Sequence, residues 1–131
     1  MNKQQIVLDT SAFLALVHRE AGHEQVVECL SDNEGVMSSV NLAEVLSKQT
    51  EFGIPPREAL SLFHLTGIRI IDFGSVEALQ TGLLRPITKI LGLSLGDRAC
   101  LALGLILSCP VLTADRAWEQ LDIQVQIQLI R

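Results

Sequence analysis

The run Ile6-Val7-Leu8-Asp9-Thr10-Ser11 constrains this chain more than any other. It is apolar, ends on a carboxylate, and passes without a break into Ala12-Phe13-Leu14-Ala15-Leu16. A short apolar run followed directly by a helical one reads as a buried parallel strand feeding a helix, which places Asp9 at the carboxyl end of the strand. In open α/β sheets ligands bind along that edge. Three further acids, Glu44, Asp97 and Asp115, stand where they can join Asp9 there.

The remaining segments alternate in the same way. Ser11 is placed to cap a helix reaching about Arg19, and Ala21-Gly22 separates it from a second helical stretch, His23 to Leu30. The turn Ser31-Asp32-Asn33-Glu34-Gly35 leads into a strand at Val36-Met37-Ser38, and Asn41 to Phe52 is helical with Gly53 as its stop. Ile54-Pro55-Pro56 introduces a helix over Arg57 to Thr66, closed by Gly67. Ile68 to Phe73 reads as a strand, Ser75 as the cap of a helix through Leu84, and Pro86 as the start of a short turn ending near Gly92. Ser94-Leu95-Gly96-Asp97 is a helix-start pattern before Ala99 to Leu107, which is apolar nearly all round and therefore central. Pro110 to Thr113 is a strand, Asp115 to Leu121 a short helix. Ile123, Val125, Ile127 and Leu129 alternate with glutamines, as in a last strand with one wet face. Five strands alternating with helices imply right-handed crossovers, a mostly parallel sheet and helices on both faces, an α/β fold.

Size and charge narrow the function. At 131 residues the chain suits one domain, 1–131, with a real core. Hydrophobic residues make up 48% and mean hydropathy is +0.35, which leans toward apolar surface covered by a partner or a second copy. A net charge of −5 argues against gripping nucleic acid by bulk positive charge, so any such contact needs local basic residues or a bound cation. Cys29, Cys100 and Cys109 lack metal-type spacing and read as reduced thiols of a cytoplasmic protein. Asp9 falls too early for a signal peptide, and Ala99 to Ala114 is too short and too interrupted by Pro110 for a membrane span.

The acids then acquire a common address. Asp9 and Asp115 each follow an apolar strand, so both lie at strand carboxyl ends. Glu44, on a polar stripe with Asn41 and Lys48, falls in the first turn of its helix, and Asp97 at the start of another. Two carboxylates about 4 Å apart repel by roughly 4 kcal/mol at an effective dielectric near 20, so a fully ionised cluster requires a cation. Oxygen ligands without nearby His or Cys favour Mg²⁺ or Mn²⁺, whose chemistry suits hydrolysis of a phosphodiester.

The runs Val7-Leu8-Asp9-Thr10-Ser11, Ser38-Ser39-Val40-Asn41-Leu42-Ala43-Glu44, Leu93-Ser94-Leu95-Gly96-Asp97-Arg98-Ala99 and Val111-Leu112-Thr113-Ala114-Asp115-Arg116 together resemble the PIN-domain family, and most closely its VapC-type toxin ribonucleases. The resemblance implies a three-layer α/β/α fold and a Mg²⁺- or Mn²⁺-dependent endoribonuclease, the toxin half of a toxin–antitoxin pair. It also implies that Asp9, Glu44, Asp97 and Asp115 hold metal and attacking water, with hydrogen-bonding support from Ser11 and Thr113. Thr10 is less closely tied to the site. The partners it implies are a second copy of the chain, an antitoxin whose tail covers the cleft, and structured RNA, commonly tRNA.

Plainer readings stand beside these. Asp97 completes a capping box with Ser94, Glu44 pairs with Lys48 at i, i+4, Asp115 serves as a helix N-cap and Asp9 as a turn residue. Arg85, Lys89, Arg98 and Arg116 are equally candidates for RNA phosphates and solvated charges. His18, His23 and His64 read as ordinary residues, Trp118 lacks aromatic neighbours in sequence, and no base-stacking platform is evident. Two rival functions remain. A phosphotransferase needs an acid where Ser11 stands, and a receiver domain needs a late Lys that is missing; a catalytically silent PIN-like module binding RNA or protein is the alternative to an enzyme.

Overall fold

The computed structural model describes residues 3–131. Its strands are Gln5–Leu8 (β1), Glu34–Ser38 (β2), Arg69–Ile71 (β3), Val111–Thr113 (β4) and Ile127–Leu129 (β5). They form one sheet, parallel throughout, in the order β3-β2-β1-β4-β5. The segment around Asp9 is indeed the centre: Val7 of β1 lies in register with Val36 of β2 and Val111 of β4.

Alternation along these strands builds two cores. Ile6, Leu8, Met37 and Leu112 face one side, where they meet Phe13, Val26, Val45 and Phe63. Val7, Val36 and Val111 face the other and meet Cys100, Leu101, Leu103 and Trp118. The first side is covered by Thr10–His18 (α1), His23–Asp32 (α2), Ser39–Glu51 (α3) and Pro56–Leu65 (α4). The second is covered by Ser75–Leu83 (α5), the single turn Arg85–Thr88 (α6), Leu95–Leu107 (α7) and a 3₁₀ turn at Arg116–Gln120. The result is an α/β/α sandwich. Burying a side chain of the size of Phe13, Phe63 or Leu101 contributes about 1.5–3 kcal/mol each, and Phe13 and Phe63 also pack ring to ring at 5.3 Å.

α7 is buried along most of its length, as its uninterrupted apolar run demands. Gly104 permits this: a Cβ there would stand 2.7 Å from Val111 Cγ1 and 2.8 Å from Val125 Cγ2. Among the described residues no helix is long and apolar enough to cross a membrane. The three cysteines are free thiols, Cys100 and Cys109 buried and Cys29 half-buried, and burial raises all three thiol pKa values.

Several boundaries differ from the sequence reading, each for a local reason. α1 is capped by Asp9 rather than Ser11: Asp9 Oδ1 accepts from Ala12 N, and Ser11 lies inside the helix. α3 begins at Ser39 because Ser38 caps it, so Glu44 sits in the second turn rather than the first. Gly74, not Ser75, is the N-cap of α5; Glu77 reaches back to its N–H, which leaves Ser75 as the first helical residue. The last strand is shorter than its alternation. Only 127–129 pair as β5, while Val125 turns inward and Gln124 and Gln126 outward before the ladder begins. Its polar face is not fully wet either, since Gln128 is half-covered and lies against Cys29 of α2.

Candidate active site

The carboxyl ends of β1 and β4, the first turns of α1 and α7 and one face of α3 from its second turn onward meet at one cleft of about 460 Å³. α7 reaches this edge because it feeds β4 and so runs opposite to the strands. Asp9, Glu44, Asp97 and Asp115 all line the cleft.

Asp9 forms the floor and is 4% exposed. Its Oδ1 accepts from Ser11 Oγ at 2.7 Å and Ala12 N at 2.8 Å, and its Oδ2 from Thr113 Oγ1 at 2.6 Å. Those hydroxyls are themselves positioned: Ala114 N donates to Ser11 Oγ and Asp115 N to Thr113 Oγ1. A single network therefore locks the end of β1 to the end of β4. Burial pushes the Asp9 carboxyl up from 3.8 to about 6; the Thr113, Ala12 and Ser11 hydrogen bonds oppose the rise and the charge of Asp97 adds to it.

The other acids are held differently. Glu44 Oε1 accepts from Thr10 Oγ1 at 2.6 Å and from Asn41 Nδ2 at 3.0 Å, and the same Asn41 amide donates to Gly96 O. Gly96 lies against this carboxylate so closely that a Cβ there would stand 2.3 Å from Glu44 Oε1. Among the described residues Glu44 makes no ion pair with Lys48; Thr10 and Asn41 take that place. Asp97 accepts from Ser94 N through Oδ2 while Ser94 Oγ accepts from Asp97 N, a complete capping box. Asp115 Oδ1 accepts from Ala117 N. The capping roles of Asp97 and Asp115 and their position in the cleft thus coexist.

Among the described residues no three Asp, Glu, His or Cys side chains stand close enough together to hold a metal ion as they are. The structure brings the four carboxylates into one cleft without closing them into a cage, because the outer three are turned toward the helix and side-chain donors just described. The donor set nevertheless fits a hard cation. It is all oxygen, and Glu44 Oε2, Asp97 Oδ1 and Asp115 Oδ2 accept no hydrogen bond among the described residues. The charge balance fits too: the lining holds Asp9, Glu20, Glu44, Asp97 and Asp115 against Lys48.

None of the four basic residues singled out in the sequence lines the cleft. Arg85, Lys89 and Arg116 are exposed outside the cleft lining. Arg98 packs toward α5, its Nη1 donating to Thr81 O at 3.3 Å. Thr10 touches the site more directly than expected. Asn41, which shares the polar stripe of Glu44 at i−3, turns out to support its carboxylate directly, and Gly96 supports it in a way that no local sequence signal marks. His18 and Phe52 were not legible as site residues, since only folding brings the ends of α1 and α3 together.

A sequence profile of the PIN domain matches residues 6–124. Comparison with curated proteins gives no match. Among solved structures, the fold is similar to VapBC2 from Rickettsia felis bound to a DNA fragment from their promoter, with TM-score 0.75 and 17% identity over 96% of this chain and 98% of that one. It is also similar to DNA-bound VapBC from Salmonella typhimurium, with TM-score 0.73 and 20% identity over 100% of both chains. VapC20 from Mycobacterium tuberculosis, a sarcin–ricin loop cleaving toxin, gives TM-score 0.73 and 16% identity over 92% of this chain and 98% of that one. At such identities the likeness is one of fold.

Proposed function

This chain belongs to the PIN-domain family, and we propose that it is one PIN domain, 1–131, acting as a metal-dependent endoribonuclease and as the toxin of a VapBC-type pair. The observation that carries the reading is the meeting of Asp9, Glu44, Asp97 and Asp115 at the carboxyl edge of the parallel sheet, in a cleft with a large excess of negative charge. VapBC assemblies among the structures of like fold support a cognate antitoxin as partner.

In this reading Asp9, Asp97, Glu44 and Asp115 hold Mg²⁺ or Mn²⁺, which when bound supplies an acidified water and offsets charge developing on the phosphodiester. The chain's own residues do the positioning. Ser11, Thr113 and the Ala12 N–H fix both oxygens of Asp9, so its remaining lone pairs have one orientation. Thr10 and Asn41 fix Oε1 of Glu44 and leave Oε2 to accept a proton or orient a water. Exposed Arg85, Lys89 and Arg116 are free to meet RNA phosphates outside the cleft, whereas Arg98 is engaged by Thr81. Structured RNA, and tRNA in particular, is the proposed substrate class, and the cytoplasm the proposed location.

A homodimer is part of the proposal. Val76, Leu79 and Leu83 share one face of α5 and are exposed, and Ile90 beyond α6 is 95% exposed. Apolar surface of that kind is typical of a face covered by another chain.

The test is cleavage of total cellular RNA by the purified chain with Mg²⁺, with Mn²⁺ and with EDTA, beside Asp9→Ala. Discrete fragments that need metal and vanish in the variant are expected, and their ends identify the RNA. RNA binding without cleavage under all three conditions would assign the chain as a catalytically silent module instead.

A further inference from the structure

α3 presents three side chains to the cleft at intervals of one turn: Glu44, Lys48 and Phe52, the last being its C-cap. Successive members are therefore about 6 Å apart along the helix axis. Lys48 is the one Lys or Arg that lines the cleft among the described residues, and it has no carboxylate within ion-pair distance. Phe52 is 71% exposed, although an aromatic ring left in water forgoes its burial energy. Its ring meets His18 edge-on at 5.6 Å, and Leu14 lines the same wall. The cleft thus passes from carboxylates, through a lone unpaired cation, to an open aromatic surface.

That order matches the chemistry of a single-stranded polynucleotide, in which phosphate and base alternate. We propose that Lys48 and Phe52 form a nucleotide subsite beside the four carboxylates: Lys48 holds a phosphate adjacent to the scissile one, and Phe52, steadied by His18, stacks on the base that belongs to it. This rests on the ribonuclease reading and supplies the stacking platform that the sequence alone did not show. Base–aromatic stacking tolerates any base, so the subsite contributes affinity and register rather than sequence choice. A protein segment covering Phe52 and Leu14 would leave the spacing of Lys48 unexplained.

The test uses the full chain in Mg²⁺ with a tRNA fraction carrying 5-iodouridine in place of uridine, irradiated, digested and sequenced by mass spectrometry. A uracil adduct is expected on Phe52 or His18; it should be lost in Phe52→Ala and recovered in Phe52→Trp. In cleavage assays Phe52→Ala should raise KM about tenfold with kcat little changed, the size of one lost stack. Lys48→Gln should lower the slope of log affinity against log salt by about 0.7. Because Phe52 is exposed, its melting temperature serves as the control for folding. Cleavage with no adduct at either residue overturns the subsite and leaves the nuclease reading standing. An adduct without cleavage keeps the subsite and rejects the nuclease. If neither occurs, both fall. RNA readouts unchanged in Phe52→Ala, with a loosened antitoxin complex, would assign this face to the protein partner and overturn the proposal.

Discussion

The floor of the cleft and its rim use the same functional group in opposite ways. Asp9 on the floor is buried, takes three hydrogen bonds and is destabilised as an anion by burial, which raises its pKa to about 6. Asp97 and Asp115 on the rim are tied to the first turns of helices, where a carboxylate is welcome on structural grounds alone. Only the floor residue is therefore held in a place that folding by itself disfavours. Charge kept against its own stability is the physical mark of a site, and capping is the mark of a scaffold. The rim carries both.

The largest expected effect lies on the floor, in the response of Asp9 to pH. Asp9 titrates near 3.8 in the unfolded chain and near 6 when folded. Its contribution to stability is fully present below 3.8, declines as pH rises, and is gone above about 6. A rise from 3.8 to about 6 corresponds to about 3 kcal/mol. Denaturant unfolding in EDTA at pH 4 and pH 7 should show this decline in the wild type and lose it in Asp9→Asn. A variant that retains the same pH dependence would place the strained group elsewhere.

Next in size is the bolt between β1 and β4. Thr113→Val keeps the shape of the side chain but removes the donor to Asp9 and the acceptor for Asp115 N. Unfolding free energy at pH 7 should fall by about 2 kcal/mol, with a smaller loss at pH 4. An equal loss at both pH values would mean that Thr113 acts through packing alone.

The smallest effects separate the two duties of the rim. Asp97→Ala breaks the capping box and should cost about 1 kcal/mol. Asp97→Asn keeps an oxygen for the Ser94 N–H while removing the charge that acts on Asp9, so the metal-free melting temperature should rise by about 2 °C. If Asn lowers it as far as Ala does, repulsion at the cleft plays no part in stability.

The fold was legible where local and global signals agree. Alternating β-strand faces, the all-round apolar α7 and the glycine stops predicted the layers, and the four acids were found because strand ends and helix starts share one edge of a parallel sheet. What sequence could not show depends on long-range approach. Thr10 meeting Glu44 spans 34 residues, and Gly96 is needed only because α7 and α3 bring it against that carboxylate. His18 and Phe52 form a pair solely because α1 and α3 end side by side. Ser75 and Ser11 are cap-type residues, yet the backbone turns one and two residues earlier, at Gly74 and Asp9. The final glutamine alternation was longer than the strand it produced, since an edge strand pairs on one side only.

The central claim is that this cleft is negative in order to hold a divalent cation. Calorimetric titration of Mn²⁺ into the purified chain at pH 7, beside Asp9→Asn, tests it most directly. Saturable binding to the wild type that weakens at least tenfold in the variant is the predicted result. Binding of equal strength in both, or none to the wild type at millimolar Mn²⁺, would contradict it.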